Sequence, residues 1–284
     1  LEAPSARDMT FSKEGMVHHI AEFDPVAAQN VRWENEQAGV GVTPANFRLL
    51  TVRNSVEVFD GMQRVTLHYP NIDSLQGHGI HFRLILPCNP SRPPVWPVMG
   101  PNGAPVWPEG EDKLHARYIT LKNIRADLQE VDIDIVHHDA GPVSQWACGA
   151  AAGDVVGAMG PTGMHRLPDA RSYFIAADGT GLPAVAQFMS RLPADAVGDV
   201  VVALPQTVDP LDYFPKSKLT LHVLPPHEFE ARVLDLAKDL TVPGETDYGF
   251  FAGEFCNAQS VRGHFKKTLK LDKTSQISTA YWRR

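Results

Sequence analysis

The sequence of 284 residues lacks several features that mark whole classes of protein. Its 33 Asp and Glu residues outnumber its 26 Lys and Arg residues, giving a net charge of −7. This argues against nucleic-acid binding, because a phosphate backbone requires a cationic surface. No apolar run approaches the length of a membrane span, so we expect a soluble protein. No cationic segment followed by an apolar one opens the chain, so no secretory signal is visible and we expect a cytoplasmic location.

Cysteine is also scarce. The three cysteines, Cys88, Cys148 and Cys256, lie far apart and share no metal-ligand spacing. Their odd, scattered count favours reduced, buried thiols over a disulfide framework, and we predict no metal site. With 43% hydrophobic residues, the chain is long enough to form two domains with proper cores.

Two halves of the chain follow different patterns. From Phe47 to about Met159, β-branched segments without long helices between them indicate an antiparallel barrel or sandwich. In one segment Val131, Ile133 and Ile135 alternate with aspartates, which is typical of a strand with one wet face. From Arg171 onward, short buried apolar runs alternate with helical patterns, which predicts an open parallel sheet. The boundary falls in a Gly/Pro-rich stretch, residues 161–169.

Two segments have no clear assignment. Residues 90–112 contain Pro-Val-Trp-Pro twice, which favours a rigid surface loop, with a lid on the substrate side as the alternative. The first 44 residues form an extension of unknown role, in which Val17–Ile20 and Val26–Trp33 can form short helices.

A strand ends abruptly in a helix at "VDIDIVHHDAGPVSQWACGAAAGD", residues 131–154. Pro142 suits the first helical position, and Gly141 lets another backbone or ligand come close. Val143 and Ser144 are small, so the first-turn N–H groups can bind an anion, especially a phosphate. An ordinary strand–turn–helix explains the same residues. His137 and His138 are strand neighbours on opposite faces, so they cannot easily hold one metal together.

These segments resemble the siderophore-interacting proteins, which are flavin-dependent ferric-siderophore reductases related to ferredoxin–NADP reductases. The resemblance rests on "ARYITLK", the 131–154 segment with the following "VVGAMGPTG", "YFIAADGTGLPAV", "FFAGE" and "YWRR", in that order over residues 45–284. It implies an FAD-binding six-stranded antiparallel barrel at 45–165 and an α/β nicotinamide-binding domain with a parallel sheet at 166–284.

The resemblance also implies roles for barrel residues. Arg117 matches the arginine that holds the FAD diphosphate, and Thr120 matches the residue near flavin N5, which makes Thr120 the catalytic candidate. Ile119 stands where the family has a stacking aromatic, and Tyr118 comes one residue early. Either a β-bulge returns the Tyr118 ring to the flavin, or Ile119 packs on it as an apolar surface. The phosphate and ribityl segment matches His137, His138, Asp139, Gly141, Pro142, Val143 and Ser144.

In the second half, the resemblance implies nucleotide contacts where strands meet helices. Asp178 and Thr180 match the first such junction, although Thr180 is equally explained as a helix cap. Gly253, Glu254 and Trp282 match later segments of the family, and Tyr281 lies beside the nicotinamide or flavin or simply closes the last strand.

The family implies FAD as cofactor, NADH or NADPH as cosubstrate, and a ferric siderophore as substrate. No Lys or Arg occurs between Leu192 and Pro215, which favours NADH, although Lys216, Lys218 or Arg262 can reach a 2′-phosphate from elsewhere. We expect a monomer that releases iron by reducing Fe(III) to Fe(II). Two alternatives stay open: a reductase with a flavodoxin or ferredoxin acceptor, and a flavin- or siderophore-binding protein without turnover, which the substitution at Ile119 permits.

Overall fold

The computed structural model describes residues 6–33, 39–75, 79–138, 141–162 and 170–284. Within them, the α-helices are α1 (Ala6–Phe23), α2 (Pro25–Asn30), α3 (Pro142–Gly149), α4 (Leu182–Met189), α5 (Pro210–Tyr213), α6 (Pro226–Leu240) and α7 (Phe255–Lys267). The strands are β1 (Phe47–Phe59), β2 (Met62–His68), β3 (His81–Pro87), β4 (Val98–Met99), β5 (Pro105–Val106), β6 (Leu114–Arg125), β7 (Glu130–Val136), β8 (Val155–Thr162), β9 (Ser172–Ala177), β10 (Val197–Ala203), β11 (Thr220–Leu224), β12 (Tyr248–Glu254) and β13 (Gln276–Trp282).

Six strands form a closed antiparallel barrel in the order β1-β2-β7-β6-β3-β8. Alternate residues of each strand point inward, as the period of two requires. The interior is apolar and includes Leu50, Val65, Leu84, Leu121 and Ile133, each fully buried. This confirms the predicted barrel.

The second unit is a five-stranded sheet in the order β11-β10-β9-β12-β13, and every recorded pairing in it is parallel. The central strand β9 is buried from Tyr173 to Ala177 because helices cover both faces. The strand order reverses beside β9, so the chain forms a switch point where β9 and β12 end. The predicted parallel sheet is therefore confirmed.

A buried polar network joins the two units. Asp134 on β7 receives both donors of the Arg64 fork at 2.7 and 2.8 Å and the Tyr213 hydroxyl at 2.7 Å. Lys122 of the barrel donates to the Tyr213 carbonyl, and Gln187 on α4 donates to the Lys122 carbonyl. The prediction that one face of β7 is exposed to water is thus wrong. The α/β unit covers Asp134, and Arg64 and Lys122 lie close enough to offset its charge.

Three further expectations concern the cysteines, the proline-rich segment and the N-terminal helix. The cysteines are free as predicted, but all three are exposed rather than buried. Trp96 and Trp107 of the proline-rich segment pack against the barrel next to Phe47 and Met159, which supports a fixed loop. Helix α1 extends well beyond the short helix predicted at Val17–Ile20. Among the described residues, no helix has both the length and the apolar character to cross a membrane.

Candidate functional site

The outward face of β6 carries two of the predicted flavin residues, Tyr118 and Thr120. β6 pairs with β3 in unbroken register, with Tyr118 opposite Arg83 and Thr120 opposite His81. A bulge at Tyr118 is therefore wrong. Ile119 packs against the barrel core, so Tyr118 and Thr120 share the opposite face. Tyr118 is 57% exposed, which makes its ring the aromatic surface available beside Thr120.

Arg117 lies at the same end of the barrel as the start of α3. Pairing between β6 and β7 begins at Leu121 opposite Ile133, and the two strands continue beyond it without recorded pairs. The Arg117 side chain is exposed and forms no ion pair with any described residue. This end of the barrel thus presents an exposed guanidinium on β6.

Among the described residues, no side chain caps the first turn of α3. Gly141 is the cap residue, with φ −96° and ψ 123°, and Pro142 follows at the first helical position. A Cβ at Gly141 would lie 2.0 Å from Cε1 of His138, whose ring occupies the space that a side chain would fill. Val143 is buried against the barrel core, and Trp146 packs there too. The helix is therefore fixed to the barrel, and the His138 ring lies against its N-cap.

The two histidines have separate surroundings, as predicted. His137 contacts Gln63, with Nε2 3.2 Å from Oε1, and its Nδ1 is 3.7 Å from Glu57. His138 is exposed, and its backbone N–H donates to Ser144 Oγ at 2.9 Å. Ser144 is buried, so its hydroxyl closes the strand–helix turn. Asp139 lies outside the described residues.

The predicted nucleotide residues of the second unit meet at one carboxylate. Asp178, at the end of β9, accepts from the Thr180 backbone N–H at 2.9 Å and from the Trp282 indole at 2.7 Å. It also accepts from the Thr180 hydroxyl and from the Glu254 backbone N–H. A Cβ on Gly253 would lie 2.7 Å from Asp178 Oδ2, so any side chain there would crowd the carboxylate. Burial raises the pKa of Asp178 despite these donors.

Glu254 has a defined structural task beside this carboxylate. Its side chain caps α7 by accepting from the backbone N–H groups of Cys256 and Asn257. A cleft of about 460 Å³ opens here at the carboxyl edge of the sheet. Arg283 lies over the Phe255 ring in this cleft, 3.7 Å from its centroid, and Arg284 pairs with Glu230. The two arginines that line this cleft, Arg283 and Arg284, are at the C-terminal end of the sequence. Arg262 instead donates to the Ser278 carbonyl.

Sequence reasoning missed two residues of the outward barrel face. His81 contacts Tyr281, with Nε2 2.8 Å from the phenol oxygen, and thereby joins the barrel to β13. Arg83, opposite Tyr118, pairs with Glu14 of α1 and lies over the Trp107 ring. Only tertiary contacts reveal these residues, because a single His or Arg at the start of a strand carries no motif. Among the described residues, no group of three or more His, Cys, Asp or Glu side chains can hold a metal ion.

The donors and surfaces at the barrel face suit a flavin dinucleotide. The exposed Arg117 guanidinium, unpaired within the described part of the chain, and the start of α3 match a diphosphate, while the exposed Tyr118 ring beside the Thr120 hydroxyl matches a flat aromatic system. The barrel joined to a parallel sheet is the fold of ferredoxin–NADP reductase. A crystal structure of that enzyme from Neisseria gonorrhoeae, with bound FAD and NADP, matches with a TM-score of 0.56 at 12% identity, covering 84% of this chain and 100% of that one.

Comparisons of the sequence then give the family. A domain model described as the siderophore-interacting FAD-binding domain matches residues 51–165, and one described as siderophore-interacting protein matches residues 170–284. Together they span most of the chain, which belongs to the siderophore-interacting protein family.

Individual relatives agree with this assignment. The ferric vibriobactin reductase ViuB of Vibrio cholerae is 26% identical over 245 residues, covering 84% of this chain and 89% of its own. The NADPH-dependent ferric-chelate reductase of Escherichia coli is 33% identical over 162 residues, covering 56% of this chain and 62% of its own. The siderophore-interacting protein SipS of Aeromonas hydrophila matches with a TM-score of 0.69 at 28% identity, covering 84% of this chain and 92% of that one.

Proposed function

We propose that the protein is an FAD-dependent NAD(P)H:ferric-siderophore reductase that reduces chelated Fe(III) to Fe(II) in the cytoplasm and so releases the iron. One observation carries this proposal. On β6 the exposed Tyr118 ring and the buried Thr120 share one face of the strand, and Tyr281 of the last strand of the α/β unit touches Thr120 there. A redox cofactor on this face is within reach of both units.

Each unit has its own task in this proposal. Residues 45–165 hold FAD: Arg117 and the first turn of α3 bind its diphosphate, and Tyr118 lies against its ring system. Residues 166–284 bind the nicotinamide nucleotide at the switch point, where the carboxylate of Asp178 fixes the ends of β9, β12 and β13. Residues 1–44 are an N-terminal extension, and the protein acts as a monomer.

FAD accepts a hydride and releases electrons singly, which joins a two-electron donor to iron, a one-electron acceptor. The chain's own residues orient the nucleotide and present Thr120 at the reacting face. The ferric chelate is the substrate, and it enters from the open side of Tyr118. A flavin-binding protein without turnover loses its main support, because Tyr118 supplies the outward ring that Ile119 does not.

The test is anaerobic mixing of the FAD-loaded protein with NADH and NADPH separately, followed by a ferric siderophore and a ferrous trap. We expect bleaching of the flavin absorbance by at least one nicotinamide, then its return as the ferrous complex appears. Flavin that stays oxidised with both nicotinamides would contradict the proposal. Return of the absorbance only with flavodoxin or ferredoxin would instead indicate a protein acceptor.

Arg117→Ala tests the cofactor assignment. Removal of the free guanidinium should strip FAD from the purified protein, because its donors hold the diphosphate. Arg53→Ala is the matched control, since Arg53 is also an exposed arginine of the barrel. Equal FAD content in the two variants would remove Arg117 from the site.

A further inference from the structure

Tyr281 links the two units at the proposed flavin face. Its hydroxyl oxygen is 2.8 Å from His81 Nε2, and the Thr120 hydroxyl lies beside it. The His81 and Tyr281 rings meet edge to face, with centroids 6.0 Å apart and planes at 83°. His81 and Thr120 are partners across β3 and β6. The three polar groups therefore lie next to one another in one chain, Thr120–Tyr281–His81.

The position of Tyr281 depends on an irregularity in β13. Ala280 pairs with Gly253 and Trp282 pairs with Glu254, so Tyr281 is an extra residue in the strand. Such a bulge re-aims side chains, commonly beside active sites. Here it lets Tyr281 reach the barrel while Trp282 donates to Asp178.

All three groups can both donate and accept a hydrogen bond at neutral pH. Burial lowers the pKa of His81 to about 4, so its imidazole is neutral and has one N–H and one acceptor nitrogen. Burial raises the pKa of Tyr281 to about 12, so the phenol keeps its proton. Hydroxyl, phenol and neutral imidazole together form a chain whose hydrogen bonds can run in either direction, as a proton path requires.

We propose that the Thr120–Tyr281–His81 chain carries a proton from the flavin face to solvent during iron reduction; this inference rests on the proposed function. NAD(P)H supplies two electrons and one proton as hydride. Two Fe(III) ions take one electron each, giving two Fe(II), and the hydride's proton remains and must reach water. None of the residues that bind FAD or the nicotinamide nucleotide in the proposed function removes this proton.

Each group on the proposed path accepts one proton and passes one proton on. Thr120 Oγ takes the proton as its own proton passes to the Tyr281 oxygen, whose proton passes to His81 Nε2. The proton on His81 Nδ1 then leaves to water, which the partly exposed ring can reach. His81 and Tyr281 act through Thr120 and are positioning residues. The low pKa of His81 suits a group that passes a proton on without holding it.

The test uses the FAD-loaded protein and its variants Tyr281→Phe, His81→Gln and His81→Ala. Flavin absorbance follows reduction by the nicotinamide and reoxidation by a ferric siderophore, and a pH-indicator dye in weak buffer follows proton release. We expect reduction to change little, whereas proton release during reoxidation slows about 10- to 100-fold in all three variants. Added imidazole should restore the rate in His81→Ala.

Two comparisons separate a proton path from a structural hydrogen bond. His81→Gln keeps an acceptor for Tyr281 but cannot pass a proton on, so a merely structural role predicts wild-type rates for it. Tyr248→Phe is the matched control, since the buried Tyr248 hydroxyl has no partner among the described residues. In the apoprotein, ¹⁵N NMR should show a neutral His81 at pH 7 whose shifts change in Tyr281→Phe but not in Tyr248→Phe.

Normal proton release in His81→Gln, or a charged His81 at pH 7, would overturn the path and leave the reductase proposal intact. Failure of the unmodified protein to be reduced by either nicotinamide would overturn the proposed function, and the path with it.

Discussion

Replacing Gly253 with alanine tests whether the Asp178 carboxylate organises the nucleotide edge of the sheet. The added Cβ would lie 2.7 Å from Asp178 Oδ2 and 3.0 Å from its Cγ. Comfortable carbon contacts begin near about 3.5 Å, so the carboxylate must move by roughly half an ångström or more. It cannot rotate away freely, because its oxygens are bound by Thr180, Trp282 and the Glu254 backbone.

The magnitude follows from the bond that must give way. Trp282 donates to the crowded oxygen at 2.7 Å, and a shift of this size takes that distance beyond good geometry. A hydrogen bond to a charged acceptor contributes about 1.5–3 kcal/mol. Overpacking of a tight site costs about 1–3 kcal/mol by itself. We therefore expect Gly253→Ala to lower the free energy of unfolding by about 2–3 kcal/mol, since relaxation relieves part of the clash as the bond is lost.

Urea unfolding of the apoprotein measures this loss, and the KM for NAD(P)H measures the functional effect. The KM should rise while FAD content stays normal, because the flavin residues lie on the barrel. Gly263→Ala is the control: Gly263 lies within α7 with no atom near the added Cβ, so alanine should be neutral or stabilising by about 0.5–1 kcal/mol. A Gly253→Ala protein with unchanged stability and unchanged KM would refute the role given to Asp178.

Two further predictions concern the barrel and its interface. Tyr213→Phe removes one of the three donors to the buried Asp134 and should destabilise the protein by about 1.5–3 kcal/mol in urea unfolding; a change under about 0.5 kcal/mol would show that the Arg64 pair alone suffices. Burial alone would raise the pKa of Asp132, but hydrogen bonds, first from Arg125, hold it below the ordinary 3.8. A lowered carboxyl pKa adds stability that is complete above the ordinary value and is lost as pH falls through the folded-state value. Acid unfolding of Asp132→Asn should therefore show a smaller loss of stability below about pH 4 than the wild type, and an equal loss would contradict this.

Much of the fold could be predicted because local pattern and tertiary environment agree. The strand-rich segment that starts at Phe47 forms the barrel, and the alternating segment after Arg171 forms the parallel sheet. The aspartates of β7 show the limit of such reasoning. The alternating pattern predicted that the aspartates face water. Instead, Tyr213 of the α/β unit covers Asp134, although the two residues are 79 positions apart in the sequence. An alternating pattern states which side chains share a face, but not what later packs on that face.

The site shows the same division between local pattern and tertiary contact. Motif matches placed Asp178, Thr180, Gly253, Glu254 and Trp282 in one region, and the structure joins them around a single carboxylate. At the flavin ring, strand phase rather than alignment to a motif decides that Tyr118, and not Ile119, points outward beside Thr120. The contact between His81 and Tyr281 spans 200 residues and depends on a bulge that propensities do not predict.

The central claim is that the barrel binds FAD with its diphosphate at the N-terminus of α3. Fluorescence titration of the apoprotein with FAD tests it directly, using wild type, Gly141→Ala and the control Gly149→Ala, whose added Cβ meets nothing within 4 Å. Wild type and Gly149→Ala should bind equally. Gly141→Ala should bind at least about tenfold more weakly, a difference of about 1.4 kcal/mol, because the methyl group forces the His138 ring out of its place beside the N-cap. A folded wild-type protein with no affinity for FAD, or a Gly141→Ala protein that binds as tightly, would contradict the account.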